Sequence, residues 1–125
     1  MDQEKETRQQ AERSRELAQR IMRELTPAGV QVLGGSGSLE KALEKIGARM
    51  TQQADGGALL VAEDPEWTEL PAVQCDQVLL VCADSAVLSG CAHQLAGQGF
   101  ARDFGWKTRG KAQQTALFRR SPAAQ

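Results

Sequence analysis

Residues 30–39 read Val30-Gln31-Val32-Leu33-Gly34-Gly35-Ser36-Gly37-Ser38-Leu39, and this stretch decides the fold. An apolar strand runs into a glycine-rich turn. Leu39, Ala42, Leu43 and Ile46 then follow at i, i+3, i+4 and i+7, the stripe of an amphipathic helix. Glycines allow tight turns and close approach to bare backbone, and the N-terminus of the next helix offers unpaired N–H groups. Strand, glycine turn and helix in that order open a Rossmann-like α/β domain and bring a phosphate or nucleoside close to backbone.

Downstream of that helix, Ser38 is placed to cap it and Gly47 to stop it. Residues 48–53 (ARMTQQ) read as a weak second strand and Asp55-Gly56-Gly57 as a turn. Residues 58–62 and 77–82 are apolar runs without alternation, as expected of parallel strands covered on both faces. Asp84 or Ser85 caps a helix carrying Val87, Leu88, Cys91, Ala92 and Leu95, which stops at Gly97-Gln98-Gly99. Residues 100–106 and 115–119 form an antiparallel hairpin around a polar turn containing Arg109-Gly110-Lys111. Upstream, residues 2–25 read as a helix with an apolar stripe of Leu17, Ile21 and Leu25, so its second half packs and its first half projects. Thr26-Pro27-Ala28-Gly29 ends it. The expected architecture is α/β in three layers, with a mostly parallel sheet and a C-terminal antiparallel hairpin. The expected organisation is an N-terminal helix over residues 1–27, an α/β domain over 28–120 and a loose tail over 121–125.

A chain of 125 residues fits one domain, and 41% hydrophobic with 25% charged residues is the balance of a soluble globular protein. No apolar run approaches the roughly 20 residues of a membrane span, and the charged start MDQEKETRQQ gives the expectation of a cytoplasmic protein without a secretory signal. Cys75, Cys82 and Cys91 are an odd count with no C-x-x-C pair and read as buried thiols. His93 follows Cys91 by two residues, which is no recognised metal spacing, so no metal is expected. Residues 51–100 hold seven acids and no Lys or Arg, whereas residues 102–120 hold six bases and one acid. The basic hairpin is either a solvated edge or an anion-attracting face, with Phe104 and Trp106 available to stack on nucleic acid. The N-terminal helix could serve a protein partner or self-association.

With its elements in this order, the chain resembles the class I S-adenosylmethionine-dependent methyltransferases over residues 29–120. That family's first strand and loop read approximately V-L-D-x-G-x-G-x-G. Gly35 and Gly37 match two of its glycines, Gln31 stands for the usual acid, and Leu33 for the first glycine. The family's ribose-binding acid, at the end of its second strand, falls by register on Ala54, with Asp55 one step later. GALLVAEDPEWTELP resembles the third strand and the acidic loop beside the adenine. CDQVLLVC and the helix after it resemble the fourth strand and its helix, and the closing hairpin is similar too; the family's fifth strand and at least one helix are missing. Asp64-Pro65-Glu66-Trp67 resembles the D-P-P-W/Y tetrad of amino methyltransferases, with Glu66 where the second proline should stand. The plainer reading of that segment is an acidic loop whose Trp67 covers the sheet edge.

The resemblance implies S-adenosylmethionine as cofactor, with its methionine end over Gly34, Gly35 and Gly37, Asp55 toward the ribose, and the adenine near Glu63, Asp64 or Trp67. Asp84, just past the fourth strand, is the best-placed catalytic candidate. The altered loop and displaced ribose acid favour a non-catalytic or weakly cofactor-binding module, in which Leu33, Gln52 or Gln53 fills the cleft. An active small methyltransferase is the alternative, and a nucleic-acid-binding module using the basic hairpin a further one. Other chemistry lacks its residues. A Ser-His-Asp or Cys-His arrangement would rest on His93 alone. GGSGS lacks the Lys-Ser/Thr of a phosphate-binding P-loop, and the third glycine of G-x-G-x-x-G is missing.

Overall fold

In the computed structural model, the run Val78-Leu79-Leu80-Val81-Cys82 lies in the central strand of a five-stranded sheet. The structure describes residues 2–34, 37–53, 55–63, 72–82, 84–107 and 114–120, with residues 2–10, 104, 106 and 107 described by their backbone. In chain order these form α1 (Asp2–Arg20), continued by a π-helical turn (Ile21–Leu25), then β1 (Val30–Gly34), α2 (Ser38–Lys45) and β2 (Asp55–Glu63). There follow β3 (Gln74–Cys82), α3 (Ser85–Gly97), β4 (Phe100–Lys107) and β5 (Gln114–Arg120). The sheet order is β1-β2-β3-β5-β4. β1, β2 and β3 run parallel, while β5 is antiparallel to both β3 and β4. The fold is thus mixed α/β, parallel in its first half and closed by an antiparallel hairpin.

Alternation along the strands sends side chains into two separate cores. Leu59, Val61, Leu79, Val81 and Leu117 face Ile21, Leu25, Leu39 and Leu43 on one side of the sheet. Leu60, Val78, Leu80, Cys82 and Phe118 face Leu88, Cys91, Leu95 and Phe100 on the other. α1 and α2 therefore cover one face and α3 the opposite one, giving the three layers. No helix among the described residues is long and apolar enough to cross a membrane.

Four local expectations are corrected. The buried stripe at the N-terminus is Ser14, Ala18, Ile21 and Leu25, while Leu17 is half-buried. Small residues let a helix lie close to its neighbour, and a search for large apolar side chains passes over them. Gly37, not Ser38, occupies the N-cap of α2, because its φ of +89° is a conformation that favours glycine. Asp55-Gly56-Gly57 is not a turn but the start of β2, where Gly56 at φ +53° precedes a register shift against β3. The second strand over residues 48–53 shrinks to one bridge between Met50 and Val30. There Val30 N donates to Arg49 O at 2.8 Å, and Thr51 N donates to Val30 O at 2.9 Å.

That bridge lies on the far side of β1 from β2, so the chain reverses its winding at β1. The strand containing residues 58–62 consequently pairs with β1 on the side opposite that bridge.

The opposite end of the sheet is tied by Arg120. Its guanidinium donates to Val73 O (2.8 Å), Cys75 O (3.3 Å) and Gln98 O (3.2 Å), and stacks over the Phe100 ring at 4.6 Å. Gln98 Oε1 in turn accepts from Val73 N at 2.8 Å. The last strand, the entry to β3 and the end of α3 are thus held at one point.

Arg120→Met keeps an unbranched apolar chain but removes the guanidinium, and with it these charged donors and the stacking on Phe100. It is expected to lower stability in urea denaturation by about 1–3 kcal/mol. The three cysteines are buried and unbridged, and burial pushes the Cys75 and Cys91 thiols above their ordinary value of 9.0. The unfolded chain then loses thiol protons at a lower pH than the folded one. This contribution is full below the unfolded thiol pKa and falls as pH rises beyond it. The urea midpoint should therefore decline above about pH 9, and decline less steeply in Cys75→Ala.

Candidate functional site

Ligands of open α/β sheets bind at the carboxyl ends of the strands, where the winding reverses. Here that place lies at the ends of β1 and β2, whose last residues, Gly34 and Glu63, are register partners. Gly34 takes φ +75°, and a Cβ built there would lie 2.5 Å from the Glu63 carbonyl oxygen. Two independent constraints, backbone sign and close approach, thus restrict this position to glycine. Gly37 has φ +89° and open space around its Cα, and its carbonyl accepts from Lys41 N at 3.1 Å as α2 begins. Alternation places Glu63 on the same sheet face as Leu59 and Val61, toward α2, with Gly34 beside it. The residue is half-buried and its Oε1 is buried. A carboxylate next to bare backbone can accept from a hydroxyl or amine while the backbone passes close to the rest of a ligand.

Gly34, Gly37 and Glu63 are the predicted site residues that the fold brings to one end. Gly35, Asp64 and Trp67 lie outside the described residues. Asp55 is not brought to the group. It opens β2, eight residues before Glu63 and roughly 26 Å away along the strand. It lines instead a cleft of 230 Å³ at the amino end of the sheet, together with Gly29, Arg49 and Thr51. Asp84 lies just past β3, but its Oδ1 accepts from Ala86 N at 2.8 Å and caps α3. Its carboxylate is engaged in holding a helix end.

Gln31, in the place of the usual acid, donates from Nε2 to Gln52 O at 2.7 Å. A carboxylate could not make that bond. Leu33 turns into the core under α3, and Gln52 and Gln53 are exposed. Cys91 is buried while His93 is exposed, so the helix separates them, and no metal-binding group of three donors occurs among the described residues. In the hairpin, Arg119 pairs with Asp103 at 3.1 Å and Arg120 is spent on the clamp, which leaves less free positive charge than the sequence count implies.

The Gly34–Glu63 pairing is the feature that sequence reading could not supply. The two residues lie 29 positions apart, and only the strand register joins them.

No family model matches the chain, and no curated protein matches it. Among solved structures, it is similar to a Thermoplasma acidophilum protein described as a "putative methyltransferase". The two share 13% identity with a TM-score of 0.49, over 87% of this chain and 65% of that one. The chain thus spans less than two thirds of the length of that protein.

The two glycines should separate in stability measurements. Gly34→Ala meets both strain and a backbone clash and is expected to cost about 2–4 kcal/mol. Gly37→Ala meets open space and should cost only the left-handed penalty of about 1–2 kcal/mol. Parallel urea titrations of the two variants check the difference.

Proposed function

We propose that this chain is a methyltransferase-like module that keeps the shape of an S-adenosylmethionine site and has lost most of its hold on that cofactor. The observation that carries this reading is the reduced edge beside β1. The segment that would present a ribose-binding acid bridges β1 only at Met50 and leaves the edge at Gln31, where the residues are the amides Gln52 and Gln53. It stops three residues short of Gly34, and Asp55 stands at the other end of β2.

What remains fits part of the cofactor. Gly34, Gly35 and Gly37 would pass under its methionine end, and Glu63, Asp64 and Trp67 would flank its adenosine. The residues do not supply the ribose contact. With Asp84 engaged as a cap, no group among the described residues stands out to move a proton, and a non-catalytic role toward a protein partner is the better reading. The carboxylate of Glu63 beside Gly34 favours the second reading, an active small methyltransferase.

Thermal-shift titration with S-adenosylmethionine and S-adenosylhomocysteine, with NAD and ATP as controls, separates the two. A working site would gain about 2.7 kcal/mol of stability at 100 times its dissociation constant. The expected result is a small shift, if any, that Gly37→Val leaves unchanged. A large saturable shift for the first pair of ligands, abolished in Gly37→Val, would overturn the proposal and establish a working cofactor site.

A further inference from the structure

α1 and α2 touch through their inward stripes, yet their outer shoulders stand apart around a groove of 590 Å³. That is within the range of about 300–1,000 Å³ typical of binding sites. Its apolar lining comes from Ala11, Ala42 and Ile46, and Ile46, 39% exposed, is the exposed large hydrophobic side chain among the described residues. Among the described residues, Ser38, Arg15, Lys41 and Lys45 also line it, against a single acid, Glu12. None of these three cations, Arg15, Lys41 and Lys45, takes part in the ion pairs found among the described residues. Lys41 and Lys45 stand one turn apart on α2, a spacing at which like charges oppose helix formation. The protein as a whole carries a net charge of −1, so this local excess of positive charge is set against the overall balance.

We infer that this groove docks an acidic amphipathic helix from a partner protein. Its apolar residues would rest on Ala11, Ala42 and Ile46, and its carboxylates would meet Arg15, Lys41 and Lys45. Two turns of α2 line the groove, matching a ligand that anchors through i, i+3 or i+4, and i+7. Nucleic acid is disfavoured because, among the described residues, no aromatic side chain lines the groove to stack on bases. The groove runs along the helix layer from Ser38, next to Gly37, to Ile46, and the inference does not rest on a cofactor being bound.

The test is heteronuclear NMR of the full chain, titrated with a synthetic helical peptide of about 14 residues, roughly four turns. The peptide carries Leu at the anchor spacing and Glu elsewhere, and its counterpart carries Lys for Glu. The expected result is saturable shifts centred on Ala11, Ala42 and Ile46 with the acidic peptide alone, weakening as salt rises. Lys41→Glu combined with Lys45→Glu should weaken binding by on the order of tenfold. Ile46→Ser should weaken it independently of salt, and circular dichroism checks that both variants stay folded. Equal binding of the two peptides, or shifts centred on the hairpin, would overturn the inference. So would a concentration-dependent dimer by sedimentation whose interface covers these residues, because the occupant would then be a second copy.

Discussion

Both faces of β3 have to be covered. Val78 is 1% exposed, and Leu79, Leu80, Val81 and Cys82 are fully buried, with side chains alternating to opposite sides. Each large side chain so buried is worth about 1.5–3 kcal/mol. That gain exists only if an apolar layer lies on each side of the sheet. The helices supply those layers and depend on them in return. α2 has eight residues, too few to hold a helix in water alone, and α1 is strongly polar apart from its inward stripe. α2 is a helix because β3 and its neighbours offer a surface, and α1 is held on the same surface by its inward stripe.

The two ends of the sheet are held by different means, and the difference explains where a ligand can go. At the amino end of β3, the Arg120 guanidinium satisfies three carbonyls and locks three elements together. At the carboxyl ends of β1 and β2, close packing is achieved by removing side chains, so that Gly34 rests against the Glu63 backbone. The first arrangement fills space with a long side chain. The second leaves backbone bare. In an open α/β sheet it is the bare strand ends that can admit a ligand.

Much of the architecture was legible because burial writes itself into local pattern. Residues 77–82 lack alternation since both sides are covered, Asp84 precedes a helix it caps, and the two β-rich runs of the basic hairpin pair antiparallel. What escaped reading depends on contacts distant in sequence. Residues 48–53 carry some strand pattern, but only Met50 finds a partner, because the chain then turns away to cross β1. Asp55-Gly56-Gly57 has turn composition, yet pairing of Asp55 with Gln74 and Gly56 with Cys75 makes it strand. The family register that put Asp55 near a ribose assumed that the second strand reached the carboxyl end, and it does not. Of the candidate site, the glycines were visible from composition, whereas the place of Glu63 beside Gly34 required the register itself.

The sheet order has a consequence for how the chain is made. In the order β1-β2-β3-β5-β4, β3 is flanked by β2, which precedes it, and by β5, the last of the five strands in chain order. During synthesis the central strand therefore emerges with one edge paired and the other open until residue 120 has left the ribosome. Over that interval its most apolar segment offers free backbone groups to any strand nearby. The antiparallel hairpin pairs strands that are close in sequence, so little loop entropy opposes its closure once both are made. Closure of the sheet thus waits for β5, and a chain cut short before it would expose the strand least suited to water.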